Sequence, residues 1–230
     1  MCKGFMNMAS GQRYNEIMSI NQMSPFKREE NGEISIEIST QESHVLISLT
    51  EQLLELLSQG DSLAEAQDPL LHIVGISDSD ALPDDPVLRR LFPDAYEDLA
   101  SSSEFRRYTE YGLREKKKAH ARIIYEALTC QGEPDEITGS NTPIDKGSFK
   151  LIINSAELLD WLSGLNDLRL ALAVRLGIGE GRKEGMNIDT KAIHNKYELM
   201  LESDPMKAVY AVYSWIGWLQ QGLLEEISPE

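Results

Sequence analysis

The sequence predicts a mainly α-helical (α+β) protein, a bundle-like domain of roughly four to six helices with a small N-terminal β-hairpin. Three observations carry this. Period-two alternation is confined to one short stretch, Ile34, Ile36 and Ile38. Beyond residue 40, leucines and other apolar residues recur at helical spacing. Helix-start signals also repeat, with Ser, Asn or Asp ahead of an apolar run and Asp-Pro pairs at several breaks. The 230 residues are 41% hydrophobic and 26% charged, enough to bury one substantial core. The expected organisation is a single domain over 1–230. It has the hairpin in 1–40, a helical core in 41–129 and 154–227, and flexible loops at 130–148 and 178–188.

Each element has a local reason. Asn31-Gly32 is a hairpin turn signal before "EISIEIS", and the expected second arm includes Arg13 to Ile20. Ser39 and Glu42 have capping-box spacing, and Leu46, Leu49, Leu53, Leu56 and Leu57 make a helical stripe ending before Gly60. Pro69, Pro83, Pro86 and Pro93 break the next region into short helices, with starts expected at Asp68-Pro69 and Asp85-Pro86. Ser101 and Glu104 repeat the capping box and open a long helix to about Leu128. Cys130 to Ser148, rich in Gly, Pro, Ser and acids, reads as a loop. Asn154 with Glu157 starts a helix that stops at Gly177. A helix is expected near Asp189 to Leu201, and the last starts at Asp204-Pro205. In that last helix Val209, Val212, Tyr213, Ile216, Leu223 and Ile227 follow helical spacing, and Trp215 and Trp218 are expected to join Trp161 in the core.

Charge and cysteine usage narrow the function classes. A net charge of −16 disfavours non-specific binding of nucleic acid or anionic membrane by the whole surface. No stretch reads as a signal peptide or membrane span, and Cys2 and Cys130 stand alone without a CxxC, so a reducing cytoplasm is expected. "GIGEGRKEG" (177–185) follows a helix rather than a strand, so it lacks the setting of a dinucleotide loop. Asp78 and Asp80 form an acidic loop that suggests carboxylates around a divalent ion, without the further ligand and glycine of a calcium loop. His44, His72, His120 and His194 have no metal-ligand spacing, and no nucleophile motif is present. No catalytic residue, metal or cofactor is therefore expected.

Two helices carry the interesting polar residues. At about 100° per residue, Arg107, Arg114, Lys118 and Arg122 share a side of the long helix with Tyr111 and Tyr125, while Phe105, Gly112, Ala119, Ile123 and Ala127 take another. Such a basic stripe is a candidate surface for an acidic protein partner or nucleic acid. In "GLNDLRLALAVRLGI" (164–178), Arg169 falls within the stripe of Leu158, Leu162, Leu165, Leu172 and Leu176. A guanidinium there needs a carboxylate, a ligand or an escape to water, and an ion pair is the favoured expectation. Asn166, on the flank of the helix, is expected to form a buried polar network with Arg169, and Asp167 and Asp160 are expected to face solvent.

Taken together, "DPVLRRLFPDAYEDLASSSEFRRYTEYGLREKKKAHARIIYEAL" (85–128), "LLDWLSGLNDLRLALAVRLGI" (158–178) and "AVYSWIGWLQQGLLEEI" (211–227) resemble an actinobacterial family first catalogued as a domain of unknown function, which includes the oxidative-stress regulator AosR. The resemblance implies a cytoplasmic regulatory protein that binds a sigma factor or another component of the transcription machinery, with cysteine oxidation as a trigger. It supplies no catalytic residues. A closely spaced cysteine pair is absent here, which leaves Cys130 as the redox candidate. The residues alone leave three readings open: a non-enzymatic interaction protein, a metal- or phosphate-dependent enzyme built on Asp78 and Asp80, and a DNA-binding regulator using the basic stripe. A homo-oligomer is compatible with each.

Overall fold

A computed structural model describes residues 24–59, 82–131, 147–179 and 190–228. Strand β1 (Phe26–Arg28) pairs antiparallel with β2 (Ile34–Ser39), setting Phe26 opposite Ile36 and Arg28 opposite Ile34. The turn is the one signalled by Asn31-Gly32. Gly32 has φ 85° and donates to the Glu29 carbonyl at 3.0 Å, and Asn31 Oδ1 accepts from the Glu33 amide at 3.0 Å. A turn this short pairs the residues on either side of it, so the second arm is Phe26–Arg28. That corrects the expectation of Arg13 to Ile20, which lies outside the described residues.

A third strand, β3 (Ser148–Ile153), pairs along the other edge of β2 with Ile34 opposite Ile153, giving the order β1-β2-β3. Its first residue, Ser148, ends the expected 130–148 loop, and the sequence signals no strand over the rest. Phe149, Leu151 and Ile153 do alternate, but only over six residues directly ahead of a helix cap, and the strand owes its stability to pairing with β2.

Helix α1 (Thr40–Ser58) carries the capping box: the Ser39 hydroxyl accepts from the Glu42 amide at 3.2 Å, and the Ser39 amide donates to the Glu42 carboxylate at 2.8 Å. Helix α2 (Pro86–Leu91) starts where Asp85 accepts from the amides of Val87 and Leu88. Helix α3 (Leu99–Gln131) begins before the expected Ser101, because the Asp98 carboxylate supplies the cap by accepting from the Ser101 amide at 2.8 Å.

Asn154 accepts from the Ala156 amide and opens a 3₁₀ turn (Ser155–Glu157) that leads into α4 (Leu158–Arg175). That helix closes in a Schellman motif: Gly177, at φ 65°, donates to Val174, and Ile178 donates to Ala173. Helices α5 (Thr190–Glu198) and α6 (Pro205–Ile227) follow, the latter capped by Asp204.

Helix α4 lies centrally, packed against α2, α3 and α6, while α1 packs on α3. Ile34, Leu46, Leu57, Ile124, Ile153, Leu165, Ile216 and Leu223 are sealed in the shared core, each stabilising the fold by about 1.5–3 kcal/mol through burial. Trp161 is buried in it, and Trp215 and Trp218 are half-buried against it. Gly164 sets the α3–α4 spacing: a Cβ there would fall 2.6 Å from Ile124 Cδ1 and 3.3 Å from the His120 carbonyl. Among the described residues, no helix is long and apolar enough to cross a membrane.

Candidate functional site

The close crossing at Gly164 brings polar side chains of α3 and α4 together beside α6. Lys117 Nζ donates to Asp167 Oδ1 at 2.6 Å, and Asp167 is only 2% exposed. This overturns the expectation that Asp167 faces water. A wheel assigns one apolar side, but α4 has neighbours on several sides, and the second one buries Asp167. Burial pushes the Asp167 carboxyl up from its ordinary value, more than the hydrogen bond and charge of Lys117 and the nearby His120 pull it down. His120 Nε2 lies 3.4 Å from Asp160 Oδ1, and its buried Nδ1 has no hydrogen-bond partner among the described residues.

These groups edge an open cleft of about 470 Å³, lined by Lys117 and His120 from α3, Leu162, Ser163, Asn166 and Asp167 from α4, and Gln220 and Leu224 from α6. Asn166 is exposed on its rim, so it is no part of a buried network. Arg169 is half-buried and makes no ion pair among the described residues. Its Nη1 donates to Gln220 Oε1 at 3.2 Å, its guanidinium lies 5.0 Å from the centroid of the Tyr213 ring, and its buried Nε has no partner. Gly217 leaves room for this, since a Cβ there would stand 3.4 Å from Arg169 Cζ. The expected ion pair is thus replaced by an amide and an aromatic face, and the ionic tie of α4 belongs to Asp167. Lys117 and Gln220 carry no signal in the sequence, and His120 shows there only a lack of metal-ligand spacing, because only the crossing of α3, α4 and α6 brings the three together.

The basic stripe is also corrected. Arg114 and Lys118 are 8% and 2% exposed. Arg114 donates to the Leu57 carbonyl at the end of α1 and to Glu110, and it stacks 4.9 Å from the Phe92 ring centroid. Glu110 also holds Arg106, which reaches Asp94 at 2.9 Å. Lys118 bonds Glu115 at 2.9 Å. Within the stripe, Arg107 and Tyr111 are half-buried and Arg122 is exposed, so its middle is internal wiring. The other side of α3 is the exposed one, with Phe105, Gly112 and Ala119 outward. A helical wheel cannot separate solvated charges from paired ones. Here Glu110, one turn from both arginines, and the free carbonyl of Leu57 make burial tolerable.

Asp78, Asp80, Cys2 and His72 lie outside the described residues, as does most of the 177–185 stretch. Asp85 is a helix cap, and Cys130 is an exposed free thiol near the end of α3. Among the described residues no three His, Cys, Asp or Glu side chains converge in a metal-ligand group.

Residues 23–227, which contain every element above, match the family described as "Domain of unknown function (DUF2017)". The chain belongs to the DUF2017 family. This DUF2017 protein is 27% identical over 190 residues to the oxidative stress regulator AosR of Mycobacterium tuberculosis (strain ATCC 25618 / H37Rv), which covers 81% of this chain and 78% of the relative. The putative oxidative stress regulator AosR of Mycobacterium leprae (strain TN) is 27% identical over 188 residues, covering 81% and 79%. No solved structure matches the chain.

Proposed function

We propose that this DUF2017 protein is a non-enzymatic cytoplasmic regulator that acts by binding another protein in the transcriptional response to oxidative stress. The observation that carries this reading is the similarity, along four-fifths of the chain, to proteins named oxidative stress regulators. The partner expected is a sigma factor or another component of the transcription machinery. The α3–α4–α6 cleft suits a protein segment: Leu162 and Leu224 offer apolar contact, and Asn166, Gln220 and Lys117 offer hydrogen bonds beside them. Cys130, exposed at the C-terminal end of α3, is the redox candidate in this reading.

The test has two arms. Transcript profiles after peroxide are compared between cells with and without the gene, and the tagged full chain is purified from peroxide-treated cells. The expected result is an altered peroxide response and recovery of a transcription component, lost in an Asn166→Arg, Leu224→Asp variant. An unchanged transcript response, or recovery that ignores the variant, overturns the reading.

A further inference from the structure

Two buried side chains of α3 hold the 92–98 loop in place, yet the ring that this loop carries is left open. Ser102 donates to the Tyr96 carbonyl at 2.7 Å and accepts from the Tyr96 amide at 3.0 Å. Arg106 donates to the Phe92 carbonyl at 3.3 Å and to Asp94 at 2.9 Å. Tyr96 is nonetheless 53% exposed, with its ring edge-on against Phe105 and 5.8 Å between centroids. Phe105 is 41% exposed, and Tyr108, three residues further along the helix, is 56% exposed. Three neighbouring rings thus meet water in a geometry that is already set, which lowers the ordering cost of a contact made on them.

The charge around this row of rings is negative. Glu97 follows Tyr96 in the chain, and Glu104 lies one helical turn before Tyr108. Both are exposed, and neither has a hydrogen bond or ion pair among the described residues. Asp98 is exposed as well, and its hydrogen bonds from Ser101 hold its carboxyl below the ordinary value. The nearby arginines do not offset these charges. Arg106 is committed to Asp94 and Glu110, and Arg107 is half-buried and engaged within the chain. Exposed Lys116 lies about 12 Å beyond Tyr108 along the helix.

We propose that Tyr96, Phe105 and Tyr108 form a docking surface for a basic protein segment, with an arginine stacked on the rings and paired to Glu97 or Glu104. A planar guanidinium can lie on an aromatic face and bond a carboxylate at its edge, which a lysine ammonium does less well. Charge selects this occupant. A nucleic acid, an acidic protein or a second copy presenting the same patch would set like charges together. Phe105 lies about 18 Å along α3 from Lys117, so the surface is distinct from the α3–α4–α6 cleft. The inference does not depend on the regulatory reading.

The test uses a dye-labelled synthetic helix with arginine and leucine on one face, titrated with the full chain at low salt and followed by fluorescence anisotropy. The expected result is saturable binding, about threefold weaker when lysine replaces arginine in the peptide. Tyr96→Ala with Tyr108→Ala should weaken it about tenfold, and Glu97→Gln with Glu104→Gln about threefold. Glu51→Gln with Glu55→Gln, exposed on α1, makes the same change in net charge and should stay within about twofold of the parent. Unfolding midpoints near that of the parent should show that each variant folds, since all six side chains are exposed. No binding of the arginine peptide at low salt overturns the proposal. So does an affinity untouched by the loss of the two tyrosines, or an equal loss in the α1 variant, because binding would then follow net charge alone.

Discussion

Lys117 and Asp167 form the ionic tie between α3 and α4, Nζ to Oδ1 at 2.6 Å, with the aspartate side chain 3% and the lysine 20% exposed. The lysine edges the cleft and the aspartate is sealed beneath it, so the two ends of the pair respond differently to substitution.

Lys117→Ala leaves Asp167 buried without its partner and is expected to cost about 2–4 kcal/mol. The double variant Lys117→Met, Asp167→Leu is expected to lie closer to the parent, because an apolar pair of similar volume needs no charge compensation. Urea unfolding of Lys117→Met, Asp167→Leu and their double gives the coupling energy directly. Additive costs would show that the pair contributes nothing as a pair.

The same burial gives a pH dependence. Asp167 holds its proton to higher pH than the ordinary 3.8, so the folded chain binds more protons than the unfolded chain in this window. The contribution of Asp167 to stability is therefore highest below 3.8 and falls as pH rises through its raised folded value. Asp167→Asn should remove that fall, so the stability difference between variant and parent should change with pH across this window. A constant difference would contradict the raised value.

Arg114 and Arg122 look alike on a wheel and should behave oppositely. Arg114→Ala strips the Leu57 carbonyl and Glu110 of a buried donor and should cost about 2–4 kcal/mol. Arg122→Ala, on an exposed side chain, should stay within about 0.5 kcal/mol. Thermal unfolding of both checks the inversion of α3. Equal, small losses would return Arg114 to the surface.

At the helix crossing, Gly164→Ala presses a methyl group to 2.6 Å from Ile124 Cδ1 and is expected to cost about 1–3 kcal/mol. Ile124→Val removes that Cδ1 atom, so the pair Gly164→Ala, Ile124→Val should recover part of the loss. Full additivity of the two costs would mean that the His120 carbonyl, not Ile124, is the obstacle.

The local signals in the chain were legible to within a residue or two. Ser39–Glu42, Asp85-Pro86, Asn154 and Asp204-Pro205 start helices where their side chains accept backbone amides, and Gly177 ends one where a left-handed residue is needed. Such contacts reach four residues or fewer, so the sequence order already contains both partners. Strand β3 carries too little local signal to be legible, because its reason lies more than a hundred residues away, in β2.

The chain by itself determined the helical class, the caps, the leucine stripe of α4 and the presence of one charged side on α3. Tertiary structure alone decided which charges are buried. Asp167 goes inside because α3 delivers Lys117 to it, Arg169 has no carboxylate partner among the described residues and rests on Tyr213 and Gln220 of α6, and Arg114 is sealed by the end of α1. The physical reason is the cost of removing a charge from water, which only a partner can offset; apart from Glu110, which assists Arg114 from within α3, these partners belong to different helices.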